Sequence, residues 1–572
     1  MPKSILLIAL SFSFFLIVNS AARAAVSPLP LLVEQCLQLK VTLPPATVQD
    51  VTKQSHALEA SLQGLFNVKD RLNFYKSRPV PSRYREGVLH CQLHLADLME
   101  SVLNSTNLAL VLQAIEAEGD AELKQLSLRW SKLADMNTDL VYKSRLHTAQ
   151  AAIKQGLRSQ ALTLKFGDTD CQLSPSAASD NGRQGSNSIF DNNIAAYLIA
   201  QTNPLCQQLV WNAYQGRARA RNREALDSIA KLRQHRAVQA GYDDHSSFSL
   251  SKQFLSTPEL VKAFLDSVTE SVDTPPWLFG SSLSQSARFG VTPVGSASLL
   301  ASIYQESETL GFRVEIVNQN THRVWHRERL LGDLFLTADT DTRAQVLRFP
   351  VVGRQFGQVS LMLKPEMSSY TDMEALVFNV AFAFNALSGS SHYYLNNTLG
   401  ETSDTSQLGR YWLEHYLADK VLPSLPEESR ELKLKSYRNQ LKIFRAKVAL
   451  DFYSAKASSL YPSLRNEFIR AFGNSWDETE NYAYNFFAIA DEGPDYYRLI
   501  WQRSLAGYIY QSTKNCKDQY RVFDTITVNE SSTDLTARLL SVLGSPVDAK
   551  SLIKRIQDAN HTQVKRPVTC SL

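Results

Sequence analysis

The chain carries no strong excess of charge of either sign. Its 60 lysines and arginines stand against 56 aspartates and glutamates, a formal net charge of +4. That balance is too mild to imply nucleic acid or an anionic membrane as partner. The densest basic stretch, Arg217, Arg219, Arg221 and Arg223, is followed by Glu224 and Asp227, and its even spacing spreads the charges around a solvated helix. The six cysteines, Cys36, Cys91, Cys171, Cys206, Cys516 and Cys570, include no CxxC pair, which leaves out thioredoxin-like redox chemistry and paired zinc knuckles. Their even number fits three disulfides in an oxidising compartment, with the connectivity open. After Val18 no window is apolar enough to span a bilayer. Hydrolase motifs are also missing. There is no HExxH, no GxSxG and no phosphate-binding glycine loop.

What is present begins with a targeting segment. Lys3 supplies a basic start, and Ile5 to Val18 is an uncharged apolar run, shorter than the roughly 20 residues of a transmembrane helix. Ala22-Arg23-Ala24 places small residues for signal peptidase, so residues 1–24 read as a secretory signal cut between Ala24 and Ala25. A continuous apolar block with one Arg does not fit an Arg-rich mitochondrial presequence. The mature chain is therefore expected outside the cell. The sequons at Asn104, Asn396, Asn529 and Asn560 are N-glycosylation candidates in such a protein.

One compositional break divides the rest. Gln172 to Ser188 is rich in Ser, Gly and Asn and has no aromatic residue, so it reads as a loop between an N-terminal helical region (25–171) and a larger one (189–572). Apolar residues at threes and fours predict helices over Tyr84–Leu103, Leu108–Glu118 and Glu122–Ile153, then a long tract from Asn192 to Ala240. Thr257 and Pro258 form a sound start for a helix over Glu259–Val272. Short strand signals cover Leu330–Thr337, Gln345–Val351 and Gly357–Leu363. Helical patterns return over Asp372–Leu387, Leu408–Val421, Glu431–Ala457, Trp476–Ile489 and Tyr496–Ser512. The class is mainly α with a small β-sheet.

Two His pairs have i, i+4 spacing. His90 and His94 bracket Cys91 on a helical pattern, without a Glu between them to act as base. His322 and His326 run into a strand-like stretch, where that spacing loses its meaning. Either pair could contribute to a metal site, and a structural or solvated role is the commoner one for such residues.

A more informative pattern follows the loop. Ala213-Tyr214-Gln215-Gly216-Arg217, Asn222, Ile229-Ala230-Lys231-Leu232-Arg233, Ala237 and Gly241-Tyr242 lead to Phe254-Leu255-Ser256-Thr257-Pro258-Glu259-Leu260-Val261 and Phe264-Leu265. This ordered run resembles the thimet oligopeptidase and mitochondrial intermediate peptidase family of zinc metallopeptidases. Gly332-Asp333-Leu334-Phe335-Leu336 and Gln358 to Leu363 stand where that family has strands. Its zinc helix, LFHEfGHalH, has Val377 to Asn385 as counterpart. Phe378 and Phe382 then fall on the two ligand histidines and Asn379 on the catalytic glutamate. Gly400 to Trp412 lines up with the segment of the third ligand, which places Ser403 at the ligand Glu. Phe486 to Leu499 resembles the substrate loop and retains Tyr496-Tyr497, with Phe487 or Ala488 where the family has His.

The resemblance spans about Ile189 to Leu552 and implies an elongated, two-lobed helical fold around a deep channel that admits short peptides. It implies zinc as cofactor, yet phenylalanine has no donor atom and asparagine is no base at neutral pH. The expectation is a protein without cofactor that binds a short peptide or protein ligand, with the former zinc cavity filled and dry beneath Phe378 and Phe382. The strand Gln358 to Leu363 would offer backbone groups to an extended peptide, and Gln358, Ser360, Tyr496 and Tyr497 are candidate contacts. Two rivals stand beside it. One is an active metallopeptidase using the His pairs, the other a structural secreted glycoprotein.

Overall fold

The structure is a computed structural model that describes residues 28–45, 50–136, 140–158, 171, 189–454 and 460–561. The expected signal segment with its Ala24–Ala25 cleavage, the loop 172–188 and Cys570 lie outside the described residues.

Helices begin where the sequence supplies a cap. Asp50 accepts from the N–H groups of Thr52 and Lys53 to open helix α1 (Val51–Lys76), a stabilisation of about 1 kcal/mol for such a cap. The helix expected over Glu122–Ile153 is two helices, α2 (Ala121–Met136) and Leu140–Arg158. The tract expected from Asn192 to Ala240 is three. Ile189–Ala200 stops before Asn203, which caps Pro204–Gly216, and α3 (Arg219–Gln239) follows. Thr257 caps Pro258–Ser267 by accepting from Leu260 N–H, as its position before Pro258 suggests.

The sheet has five strands, β1 (Phe312–Asn318), β2 (Thr321–His326), β3 (Arg329–Ala338), β4 (Arg343–Arg348) and β5 (Gly357–Leu363), in the order β1-β2-β3-β5-β4. β3 and β5 run parallel, and the other neighbours are antiparallel. Gly332 lies opposite Gly357, so close that a Cβ on Gly332 would fall 2.0 Å from the Gly357 carbonyl oxygen. Glycine is needed at this crossing for room.

Helix α4 (Tyr370–Leu387) lies against the sheet and buries Leu376, Val377, Val380, Phe384 and Leu387. Helices α5 (Leu408–Val421) and α7 (Arg498–Thr513) complete that core, and α6 (Arg430–Tyr453) helps build another with residues 194–229 and 468–490. Trp476–Ile489, expected as a helix, is instead a 3₁₀ segment (Thr479–Tyr484) and one turn, Ala488–Asp491. Its aromatic side chains pack on one another in place of a helical stripe.

A third core joins the N-terminal helices to Val351 and Tyr393–Leu395. Tyr394 is its pivot. Its ring stacks on Phe66 at 4.1 Å, its N–H donates to Glu59 Oε1 at 2.9 Å, and its hydroxyl donates to Asp70 Oδ1 at 2.6 Å. Burial pushes the Glu59 carboxyl up to about 7 and that of Asp70 up to about 6, against the pull of these donors. A folded-state pKa above the unfolded one means the folded chain binds more protons in between, so stability falls as pH rises through that interval. Glu59→Gln keeps the acceptor and removes the charge. Chemical denaturation should show the variant gaining on the wild type from pH 4.5 to 8, by up to on the order of 3 kcal/mol, with no gain below pH 4.5.

Candidate functional site

Ser369 caps α4 by accepting from Asp372 N–H, which fixes the rotation of the helix. The face opposite the sheet then presents Phe378 and Phe382, one turn apart and half-buried. Arg410, from the first turns of α5, lies over both rings. Its Cζ is 4.0 Å from the Phe378 centroid and 4.7 Å from that of Phe382. Arg503 of α7 approaches Phe378 at 5.6 Å and Tyr411 at 4.8 Å, and its guanidinium pairs with Glu414 at 3.2 Å. Such stacks are worth about 0.5–2 kcal/mol each, more as they are desolvated. The expected dry plug is therefore corrected. The rings are floored and roofed, but the roof is a cation.

Asn379 turns away from this cluster. Its Oδ1 accepts from Ala344 N–H at 2.7 Å, and its Nδ2 donates to the carbonyls of Thr342 at 3.2 Å and Ala375 at 2.7 Å. The residue at the catalytic-Glu position thus pins α4 to the start of β4, the edge strand. β5 lies between β3 and β4 with both edges paired, so the route by which its backbone would take up a peptide is corrected. Gln358 is half-buried and Ser360 buried on that inner strand.

Ser403 donates its backbone N–H to Gln253 Oε1 at 3.0 Å. Its neighbour Asp404, which sequence reading passed over, is fully buried and accepts four bonds: Phe254 N–H at 2.9 Å, Leu255 N–H at 3.0 Å, Thr402 Oγ1 at 2.6 Å and Tyr497 Oη at 2.8 Å. Tyr497 is wholly enclosed, which removes it as a ligand contact. Tyr496 is half-buried with its ring 6.0 Å from Phe486. Glu401 is committed to Arg538 at 2.9 Å and to Leu535 N–H.

The zinc that the resemblance implies does not fit these residues. Two rings, an amide and a hydroxyl stand at its positions, and a divalent ion would meet the Arg410 charge. Among the described residues no three His, Cys, Asp or Glu side chains come together to hold a metal, where a zinc site needs at least three protein ligands. The His pairs are used elsewhere. His94 bonds the Leu39 carbonyl at 2.9 Å, while His90 is exposed. His322 and His326 lie on β2, where His322 meets Tyr304 Oη at 2.9 Å and His326 the Leu310 carbonyl at 3.2 Å.

Helix α6 carries Lys435, Arg438, Lys442 and Arg445, the last donating to Tyr482 Oη at 3.0 Å. Lys435 bridges to Glu374 of α4 at 3.0 Å. Partial burial lowers the Lys442 pKa, and Arg503, Arg438 and Arg445 lower it further. Burial raises the Glu414 carboxyl while Arg503, Arg410 and Lys435 oppose it. Glu374 and Glu414 are the carboxylates set among these cations.

The cysteines pair Cys36–Cys91 and Cys171–Cys206, and Cys516 is disulfide-bonded as well. Of the sequons, Asn104 and Asn560 are exposed. Asn529 bonds Thr533 through both amide atoms. Asn396 is turned inward, its Nδ2 donating to the Glu122 carbonyl at 3.1 Å and its Oδ1 buried. A glycan on that nitrogen would have to fit beside this bond in a half-buried setting, which disfavours Asn396 among the candidates.

No family model matches the chain, and no curated protein matches it by sequence. Solved structures do. PZ peptidase A with an inhibitor aligns at a TM-score of 0.50 and 11% identity, covering 95% of this chain and 98% of that one. An M32 carboxypeptidase from Deinococcus radiodurans R1 aligns at 0.50 and 10% identity, covering 89% and 98%. At that identity the likeness shows the fold. It is mainly α and metallopeptidase-like.

Asn379→Ala removes three hydrogen bonds and strands the Ala344 N–H. Denaturant melts should show a loss of about 1–3 kcal/mol, whereas a side chain idle after loss of a catalytic role would cost little. Peptide mapping of protein from a secretory host should find glycan at Asn104 or Asn560 and none at Asn396.

Proposed function

We propose that this chain is a secreted, non-catalytic relative of the oligopeptidase-type zinc metallopeptidases, and that it binds peptides or protein segments carrying acidic side chains. The observation that supports this reading best is the Arg410 guanidinium over Phe378 and Phe382. The positions that would carry zinc chemistry hold instead a fixed cation on an aromatic floor. Arg503 of α7 and Arg438 and Arg445 of α6 are near enough to Lys442 to lower its pKa, and in this reading that concentration of cations gives the channel of the metallopeptidase-like fold its preference for a carboxylate-rich ligand. Recognition by charge also suits a fold whose inner strand β5 has no edge to lend. Loss of the zinc ligands, export and ligand binding belong together in this reading: the scaffold is kept, and hydrolysis is not.

Fluorescence anisotropy with labelled decapeptides of acidic, neutral and basic composition checks the proposal, with mass spectrometry of each peptide afterwards. Saturable binding of the acidic peptide, uncut, is expected. The double variant Arg410→Ala/Lys442→Ala should weaken it by about 1–3 kcal/mol, given charge-assisted contacts of ordinary strength. Equal affinity for all three peptides, or cleavage of any of them, would contradict the proposal.

A further inference from the structure

A cavity of about 200 Å³ lies between α2, the end of α4 and the turn after it, the segment 396–409 and the segment 526–538, and it reaches Phe382 on the side away from α2. Its lining is unusual in what is left unpaired. Arg129 of α2 is 4% exposed, and its Nε is buried without a partner. Arg538 Nε, Asn396 Oδ1 and Thr527 Oγ1, on other walls, are also buried and unpartnered. Ordered water can serve the two neutral groups. It serves a buried guanidinium poorly, because an uncompensated charge costs several kcal/mol out of bulk solvent.

The charges do not balance. Glu401 is the one carboxylate among the lining residues, and it is already shared between Arg538 at 2.9 Å and Leu535 N–H. Lys132 of α2 stands outside the lining, with its Nζ donating to the Gly400 carbonyl at 3.1 Å and Asp404 as an acidic neighbour. Burial depresses Arg129, Glu401 partly restores it and Arg538 repels it. Two arginines therefore share one carboxylate in the lining, around a polar space with room for several water molecules. We infer that this cavity is a binding site for a small oxyanion, a carboxylate or a phosphate, held by the Arg129 and Arg538 guanidiniums with Thr527 Oγ1 as an added donor. Because α2 forms one wall and the 526–538 segment another, the bound anion would tie the N-terminal helices to the main body.

Thermal melts of the full chain at constant ionic strength test this, with sodium chloride as control and inorganic phosphate or succinate as probes. A saturable rise in melting temperature with one probe above the chloride control is expected, and which probe acts identifies the anion. Arg129→Gln should bind that probe at least tenfold more weakly, and in chloride alone should melt no lower than the wild type, because it removes an unpaired buried charge. Thr527→Val, which leaves both arginines, should weaken binding by a smaller factor and covers the case in which Arg129→Gln fails to fold. No rise beyond chloride with either probe, or an equal rise in wild type and both variants, would overturn the inference.

Discussion

The stack of Arg410 on Phe378 and Phe382 joins three elements whose relative placement decides what the protein can do. The two rings belong to α4, which lies flat on the sheet through Leu376, Val380 and Phe384. The guanidinium comes from α5, and Arg503 of α7 closes over the outer side with Glu414 as its counter-charge. A helix bearing two histidines at these positions would need a metal to hold the same three elements at this distance. Here cation–π attraction and one ion pair do it, and the cluster is self-sufficient. Arg410 and Arg503 bring two positive charges to this cluster against the one carboxylate of Glu414.

Two other contacts keep that cluster in place. Asn379 ties the far side of α4 to the start of β4, so the helix cannot roll and bury its rings. Asp404 gathers Phe254, Leu255, Thr402 and Tyr497 and so holds the loop that leads into α5. Asn222 and Arg233 do similar service at a distance. They reach from α3 to the backbone of Tyr484 and of Ile489 to Asp491, closing the segment that precedes α7. Each is a buried polar group whose removal leaves several partners unsatisfied, which costs more than the bond itself contributes.

Much of this was legible in the residues. The helix start at Thr257-Pro258 carries a local chemical signal, the like signal at Asn203-Pro204 was passed over inside one long tract, and the apolar periodicity of α4 and α5 gives both their extent and their buried face. β5 was legible by alternation. β1 and β2 were not, because β2 turns His322 and His326 inward where an aliphatic pattern would be sought, and β1 is an exposed edge. The departure of Phe378, Asn379 and Phe382 from the resembled zinc helix was visible in the sequence. What surrounds them was not: Arg410 and Arg503 are far apart in the chain and look like ordinary helical arginines until the fold lays them over one ring. The bond between Asp404 and Tyr497 was hidden for the same reason, since it spans 93 positions, and Tyr497 was read as a ligand contact instead. The cavity beside Arg129 has no sequence signature, since several segments far apart in the chain form it.

The central claim is that the aromatic and guanidinium groups on α4 and α5 have taken the place of a metal. Its most direct test is elemental analysis of the purified chain after equilibration with excess zinc and removal of the free ion. The account predicts zinc no higher than in a protein-free control, in the wild type and in His90→Ala/His94→Ala alike. One zinc per chain, retained through gel filtration, would contradict it.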